Sequence, residues 1–125
     1  VEKQKYPHCI QIENTPLFYI AGVWNTWTDY SSGETKNSFG IITTEANSLM
    51  SKIHNVKKRM PTILDDERAN AWINEHLTEK QIQEIASYQF PAEKMKAHTV
   101  ATNFQQIDHP TEHVPYTIFT PQTLF

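Results

Sequence analysis

The chain has 125 residues, 38% of them hydrophobic and 11% aromatic, which is enough for one folded domain and too few for two of ordinary size. Eleven Lys and Arg against fourteen Asp and Glu give a net charge of −3, so no overall positive field would draw the molecule to nucleic acid. The single cysteine, Cys9, excludes an intrachain disulfide and favours a reducing compartment. No apolar run reaches the ~18 residues of a membrane-spanning helix, and no leader pattern opens the chain, so we expect a soluble protein.

The first third of the sequence has the patterns of β-strands. Residues 6–12 alternate between apolar and polar, which predicts a strand with the Cys9 thiol in its core. Residues 16–27 are rich in aromatics and poor in charge, which is typical of a strand buried on both faces. A turn at 31–34 and a further strand at 37–43 predict an antiparallel pair.

Three helical segments and a short strand follow. Thr44 can cap the first helix, and His54 lies at its exit. Residues 59–64 predict a short strand, Asp65 an N-cap for the second helix, and residues 78–81 a capping box for the third. The apolar faces of the first two helices are predicted to consist of Ala46, Leu49, Met50 and Ile53, and of Ala69, Trp72, Ile73 and Leu77.

The C-terminal part continues with strands at 96–102 and 116–120, separated by a polar stretch without periodicity. Strands and helices do not alternate regularly along the chain. The pattern therefore favours a single α+β domain over residues 1–125, with a mixed or antiparallel sheet and flanking helices.

One pattern has the spacing of zinc ligands. His109, Glu112 and His113 match H-x-x-E-H, which binds zinc when a helix brings both imidazoles to one face. Pro110 disfavours such a helix because it follows the first histidine directly. We therefore expect a solvated loop, no metal and no cofactor.

Two tryptophans, Trp24 and Trp27, stand three residues apart in the aromatic strand. In a regular strand they point to opposite faces, so both cannot belong to one stacking platform. The spacing favours core aromatics over a base-stacking role.

The segment 51–64 has two interpretations. His54 is followed by Lys57, Lys58 and Arg59, and neighbouring cations favour a neutral imidazole that could move protons on an anionic substrate while Arg59 holds a phosphate. Alternatively, the lysines only favour the negative end of the helix dipole in a solvated connector. Spacing alone favours the connector.

Three blocks of sequence resemble the SOS response-associated peptidase (SRAP) family. They are FYIAGVW at 18–24, FGIITTEAN at 39–47, and IH at 53–54 followed by RMPTIL at 59–64. The resemblance implies a barrel-like α+β domain and a role in the DNA-damage response. Members of the family recognise abasic sites in single-stranded DNA and form a covalent crosslink through an N-terminal cysteine, with proposed autopeptidase activity.

The resemblance also implies roles for individual residues. His54 corresponds to the active-site histidine, Arg59 to a phosphate-contacting arginine, and Thr43 to a threonine that lines the pocket. The loop between His54 and Arg59 is longer here than is usual in the family, and it adds Lys57 and Lys58 on the expected DNA side.

Other family features belong upstream of the segment that residues 5–12 resemble. They are the N-terminal cysteine, a pocket asparagine and the glutamate of a G-x-x-E-W block. We therefore interpret the chain as the C-terminal portion of an SRAP domain, catalytically incomplete without its N-terminal part. Cys9 is predicted to lie in a strand and not to act as the nucleophile.

The functional expectation is thus an abasic-site sensor that partners single-stranded DNA in the cytoplasm, at the nucleoid when bound. The alternative is a non-catalytic nucleic-acid or protein binding module that retains the fold. Peptidase or hydrolase activity on other proteins has no support in the spacing, which shows no Ser-His or Cys-His pair.

Overall fold

The computed structural model describes residues 5–54 and 56–116. This region contains eight short strands and three helices. The strands are β1 His8–Ile12, β2 Tyr19–Ile20, β3 Gly22–Thr28, β4 Thr35–Ile41, β5 Thr43–Glu45, β6 Arg59–Pro61, β7 Ile63–Leu64 and β8 Met95–Thr99. The helices are α1 Met50–Ile53, α2 Asp66–Trp72 and α3 Glu79–Ala86, with 3₁₀ turns at Ala92–Lys94 and Phe104–Gln106.

The described strands form four antiparallel pairs: β1 with β8, β2 with β7, β3 with β4, and β5 with β6. The predicted mixture of helices with antiparallel strands is therefore confirmed. Closure into a barrel is not found, because the described pairs remain separate two-stranded ladders. None of the described helices is long and apolar enough to cross a membrane.

Three strand runs meet at one junction, where each changes its partner. Ala21 donates its N–H to the carbonyl of Thr62, Thr62 to that of Ile42, and Ile42 to that of Ala21, each with an N···O distance of 2.9 Å. These three residues separate β2 from β3, β4 from β5, and β6 from β7. The ladder of β5 and β6 starts directly at this junction, with Thr43 opposite Pro61.

The core lies between the β1–β8 ladder, α1 and the junction. Its buried residues are Ile12, Leu49, Met60, Ile63, Phe90, Met95 and Ala97. Leu49 confirms the predicted buried stripe, and Met50 and Ile53 pack partly buried against the same cluster. Cys9 lies in β1, as the alternation predicts, but it is only half-buried and is not part of this core.

The prediction of a strand buried on both faces at 16–27 is wrong. β3 and β4 form the expected antiparallel pair, joined by a turn in which Gly33 has φ +73°, but every residue of both strands is exposed. Trp24 and Trp27 accordingly lie at the surface and not in the core. Aromatic composition predicted burial, whereas burial depends on which elements cover a strand.

The first helix is shorter than predicted. Thr44 does not cap it, because Thr44 is buried in β5 and donates its Oγ1–H to the carbonyl of Ser87 at 3.0 Å. The N–H of Met50 at the helix start is instead accepted by Oδ1 of Asn47 at 3.0 Å. Sequence periodicity predicted a longer helix because it does not distinguish the irregular backbone at 46–47 and the turn at 48–49 from helix.

The caps of the other two helices are confirmed. Asp65 accepts the N–H of Arg68 at 2.8 Å, and Thr78 with Gln81 forms the predicted capping box. Ile73 is wrongly predicted as part of an apolar face, since α2 ends at Trp72 and the Ile73 side chain is 78% exposed.

The region after β8 consists mainly of turns. Val114 donates its N–H to Thr99 at 2.9 Å, so the chain returns to β8 after the polar stretch. The H-x-x-E-H segment is not helical, which confirms the predicted loop, and the His113 ring packs edge-on against His98 with centroids 5.8 Å apart. The strand predicted at 116–120 falls almost entirely outside the described residues.

Candidate functional site

The ladder of β5 and β6 brings Thr43 and Arg59 together. Arg59 lies opposite Glu45, two residues along β5 from Thr43, so both side chains are on the same face of the ladder. Arg59 donates from Nε to Thr43 Oγ1 at 3.0 Å and from Nη2 to the Thr43 carbonyl at 3.3 Å, and Nη2 also contacts Oγ1. The guanidinium is thus fixed along one side, and within the described part of the chain these bonds leave its Nη1 available.

His54 joins the same group from the end of α1. Its N–H donates to the Met50 carbonyl at 2.7 Å, and its Nδ1 lies 3.0 Å from the carbonyl oxygen of Arg59. Because a carbonyl oxygen can only accept, Nδ1 carries the hydrogen in this contact. In the neutral ring the lone pair therefore resides on Nε2, on an exposed side chain.

The longer loop between His54 and Arg59 folds back on itself. Lys58 has φ +51°, in the left-handed region, and donates its N–H to the His54 carbonyl at 3.0 Å. Its own carbonyl accepts the N–H of Ala46 at 2.9 Å. The described residues 56–58 of this loop therefore form a turn, and His54 is in contact with Arg59.

Four cations lie within five residues of His54 in the chain. Lys52, Lys57, Lys58 and Arg59 are all exposed, and none takes part in the ion pairs found among the described residues. The region is therefore locally positive although the whole chain is acidic. Such a cluster favours an anionic ligand.

Asn47 is the residue of this region that sequence reasoning missed. It is buried, and its Nδ2 donates to the Phe90 carbonyl at 2.6 Å and lies 3.3 Å from Met95 Sδ, while Oδ1 accepts from the start of α1. It ties the helix that ends at His54 to the core. An asparagine three residues before the helix is a recognisable capping signal, but the threonine at 44 competed with it.

The described residues contain no nucleophile beside the histidine. In residues 5–54 and 56–116, no hydrogen bond joins the His54 ring to a hydroxyl or thiol, and Cys9 lies in β1, which pairs with β8. The same part of the chain holds no group of three metal-ligating side chains. The arrangement can bind an anion and move a proton, but it does not supply a covalent nucleophile.

The fold and the site thus define a small α+β unit with a histidine, an anchored arginine and lysines on an exposed ladder. Residues 1–107 match the profile of the SOS response associated peptidase (SRAP) family, and the chain belongs to this family. The resemblance of the three sequence blocks is therefore confirmed.

Several named relatives support the assignment. The chain is 33% identical over 100 residues to the abasic site processing protein YoqW of Bacillus subtilis, which covers 80% of this chain and 43% of YoqW. It is 33% identical over 109 residues to the abasic site processing protein HMCES of Gallus gallus, covering 85% of this chain and 31% of HMCES. The chain thus spans less than half the length of these relatives.

A solved structure has the same fold. The X-ray structure of a protein from Bacteroides thetaiotaomicron superimposes with a TM-score of 0.77 at 36% sequence identity. The match covers 87% of this chain and 46% of that protein.

Proposed function

We propose that this chain is the C-terminal portion of a protein that processes abasic sites in single-stranded DNA. Support comes from the family, from relatives named abasic site processing proteins, and above all from the contact between His54 Nδ1 and the Arg59 carbonyl. That contact couples a proton-transfer group directly to the strand that carries the anion-binding side chain. The DNA lies along β5 and β6 and the loop that follows α1.

Arg59 and the loop lysines bind the DNA backbone. Thr43 occupies Nε and one side of the Arg59 guanidinium, so Nη1 is the group that reaches a phosphate oxygen. Lys57 and Lys58 are exposed on the adjoining turn and add charge without fixed geometry. Thr43 thus orients the arginine on the ladder of β5 and β6.

The chemistry uses a cysteine that lies outside this chain. The α-amine of that N-terminal cysteine adds to the aldehyde of the ring-opened abasic sugar, and loss of water gives a Schiff base. The thiol then adds to the C=N carbon, its proton passes to nitrogen, and a thiazolidine forms. His54 Nε2 takes up and returns the protons of these steps, with Nδ1–H held by the Arg59 carbonyl.

The histidine is tested in the longest natural chain that contains these residues. In His54→Gln, the rate of crosslinking to an abasic single-stranded oligonucleotide should fall by roughly 10²-fold or more, because proton transfer is removed. His76→Gln, at an exposed histidine in the α2–α3 connection, is the matched control and should react at the wild-type rate. Equal rates for His54→Gln and wild type, for both formation and reversal of the crosslink, would show that His54 is structural.

The second candidate is a non-catalytic nucleic-acid binding module. It is favoured by one observation, namely that no nucleophile accompanies His54 in the described residues. Such a module would bind single-stranded DNA with a steep salt dependence, yet never give a denaturant-stable adduct with abasic DNA, even in the longest natural chain. A stable adduct in that chain excludes it.

A further inference from the structure

The β3–β4 hairpin exposes far more apolar surface than a solvated ribbon normally does. We call the two strands Gly22–Thr28 and Thr35–Ile41 the aromatic hairpin. Two of its aromatic side chains, Trp24 and Phe39, are 77% and 82% exposed. Tryptophan and phenylalanine each bury a large apolar area when covered, so leaving both in water is costly.

Both faces of the aromatic hairpin are apolar. The register places Trp24 directly opposite Phe39, and side chains two residues along share their face, so Ile41 extends that apolar patch. Val23 and Trp27 point to the other face, and both are also exposed. Each face of the aromatic hairpin thus has apolar side chains that would be stabilised by contact with another part of a protein.

Only the base of the aromatic hairpin is attached to the body of the structure. Trp72 of α2 donates its Nε1–H to the Gly22 carbonyl at 2.8 Å, next to the strand junction at Ala21. Beyond that point β3 and β4 pair only with each other among the described strands. A two-stranded ribbon is at best marginally stable in water, so its order depends on further packing.

The chemistry of the surface indicates a protein as the occupant. Along the two strands Lys36 is the single cation, and Asp29 and Glu34 lie at the turn, so a nucleic-acid backbone finds no positive track here. Apolar side chains on both faces, with unpaired strand edges among the described residues, suit polypeptide layers instead.

The lengths of the relatives indicate which polypeptide covers the aromatic hairpin. The B. subtilis relative and the B. thetaiotaomicron structure are each more than twice as long as the segment that this chain matches. We propose that the aromatic hairpin is an internal surface of the family domain, covered by the polypeptide that these proteins possess outside the matched segment, with the Trp24–Phe39 pair as its anchor. This interface follows from exposure and length and does not depend on the DNA chemistry proposed above.

The test compares the 125-residue chain with a chimera in which it replaces the matched part of the B. thetaiotaomicron protein. Hydroxyl-radical footprinting with mass spectrometry measures side-chain oxidation in both. Oxidation of Trp24 and Phe39 should be about tenfold slower in the chimera because both become buried. Tyr30, which is fully exposed at the hairpin turn, is the internal control and should oxidise at similar rates in both.

A double substitution gives a second readout. Trp24→Ser with Phe39→Ser should lower the Tm of the chimera by several degrees and leave the Tm of the isolated chain nearly unchanged, since surface changes there cost little. Ile73→Ser, at another exposed isoleucine, should leave both unchanged. If the chimera does not fold, the unmatched part of the B. thetaiotaomicron protein is added in trans, where it should form a complex with the wild-type chain and not with the double variant.

Three results would overturn the proposal. The first is equal oxidation of Trp24 in the isolated chain and the chimera, or no complex in trans when the chimera fails. The second is a dimer of the isolated chain in which Trp24 is protected, which would make a second copy the occupant. The third is protection of Trp24 in the chimera only after single-stranded DNA is added.

Discussion

At the scale of single residues, the site depends on how side chains are held. Arg59 is fixed by Thr43, and His54 is fixed through Nδ1 by the carbonyl of Arg59 itself. Arg59 of strand β6 therefore has two roles: its backbone carbonyl orients the imidazole, and its side chain is available to bind an anion. A change of side chain at Arg59 should affect anion binding without removing the bond that orients the imidazole.

Arg59→Lys separates these two tasks. A lysine cannot donate to both the hydroxyl and the carbonyl of Thr43 while presenting further N–H groups, so we expect affinity for single-stranded DNA to fall by roughly 5- to 10-fold. Fluorescence anisotropy with a labelled oligonucleotide at fixed salt measures this. Lys80→Arg, at an exposed position of α3, is the control with no expected effect. Unchanged affinity in Arg59→Lys would show that the guanidinium held by Thr43 is not needed for binding.

His8 gives the fold a pH dependence of its own. Burial lowers the pKa of His8 below its ordinary 6.5; its hydrogen bond to the Tyr6 carbonyl opposes this, and the charge of His98 lowers it further. Below about pH 6.5 the unfolded chain binds a proton that the folded chain does not, so stability should fall as the pH drops through this window and level off below the folded pKa.

Thermal unfolding between pH 7.5 and 5 checks this dependence. In His8→Gln the loss of stability towards acid should be smaller than in the wild type, because one titrating group is removed. His76→Gln should keep the wild-type slope. An unchanged slope in His8→Gln would assign the acid sensitivity to other groups.

At the scale of elements, local sequence signals predicted where helices begin more accurately than they predicted which strands are buried. Asp65 and the Thr78 box cap their helices because a cap needs only side chains within a few residues. The burial of β3 was mispredicted because it depends on distant chain, which a strand pattern does not reveal. The contact of His54 with Arg59 likewise could be expected from the family resemblance and not from spacing, since the loop between them is longer than usual.

Asn47→Ala tests how α1 is held. Removing the amide leaves the Phe90 carbonyl and the Met50 N–H without this partner, so we expect the free energy of unfolding to fall by about 1–3 kcal/mol. Urea unfolding followed by tryptophan fluorescence measures it. Asn70→Ala, an exposed position in α2, is the matched control and should change stability little.

The same variant has a functional consequence that distinguishes packing from positioning. If Asn47 also positions His54, crosslinking should slow in the longest natural chain under conditions where the variant is still folded. A stability loss with a wild-type crosslinking rate would make Asn47 a packing residue only.

At the scale of the whole molecule, the proposed binding to DNA works against the net negative charge of the chain. The net charge is −3, yet the loop after α1 and strand β6 concentrates lysine and arginine at one place. Binding should therefore be local and strongly dependent on salt.

The double substitution Lys57→Ala with Lys58→Ala tests how much these two loop lysines contribute to the salt dependence of DNA binding. The slope of log affinity against log salt should become shallower by about 0.7 for each phosphate that is no longer neutralised, hence by roughly 1.4 if each lysine neutralises one. Lys80→Ala with Lys94→Ala, which changes the net charge equally at other exposed positions, is the control. Equal slopes in the two double variants would show that only net charge matters.

The pairing of β1 with β8 has a consequence for how the molecule folds. The aromatic hairpin joins strands separated by a short turn, whereas the β1–β8 ladder aligns Ile12 with Met95, two core residues roughly eighty positions apart. Closing so large a loop lowers the entropy of the chain before the stabilising contacts of the ladder are formed. We therefore expect contacts within the aromatic hairpin to form early and the β1–β8 ladder, which completes the core, to form late, so that the folding chain is most prone to aggregation in the interval.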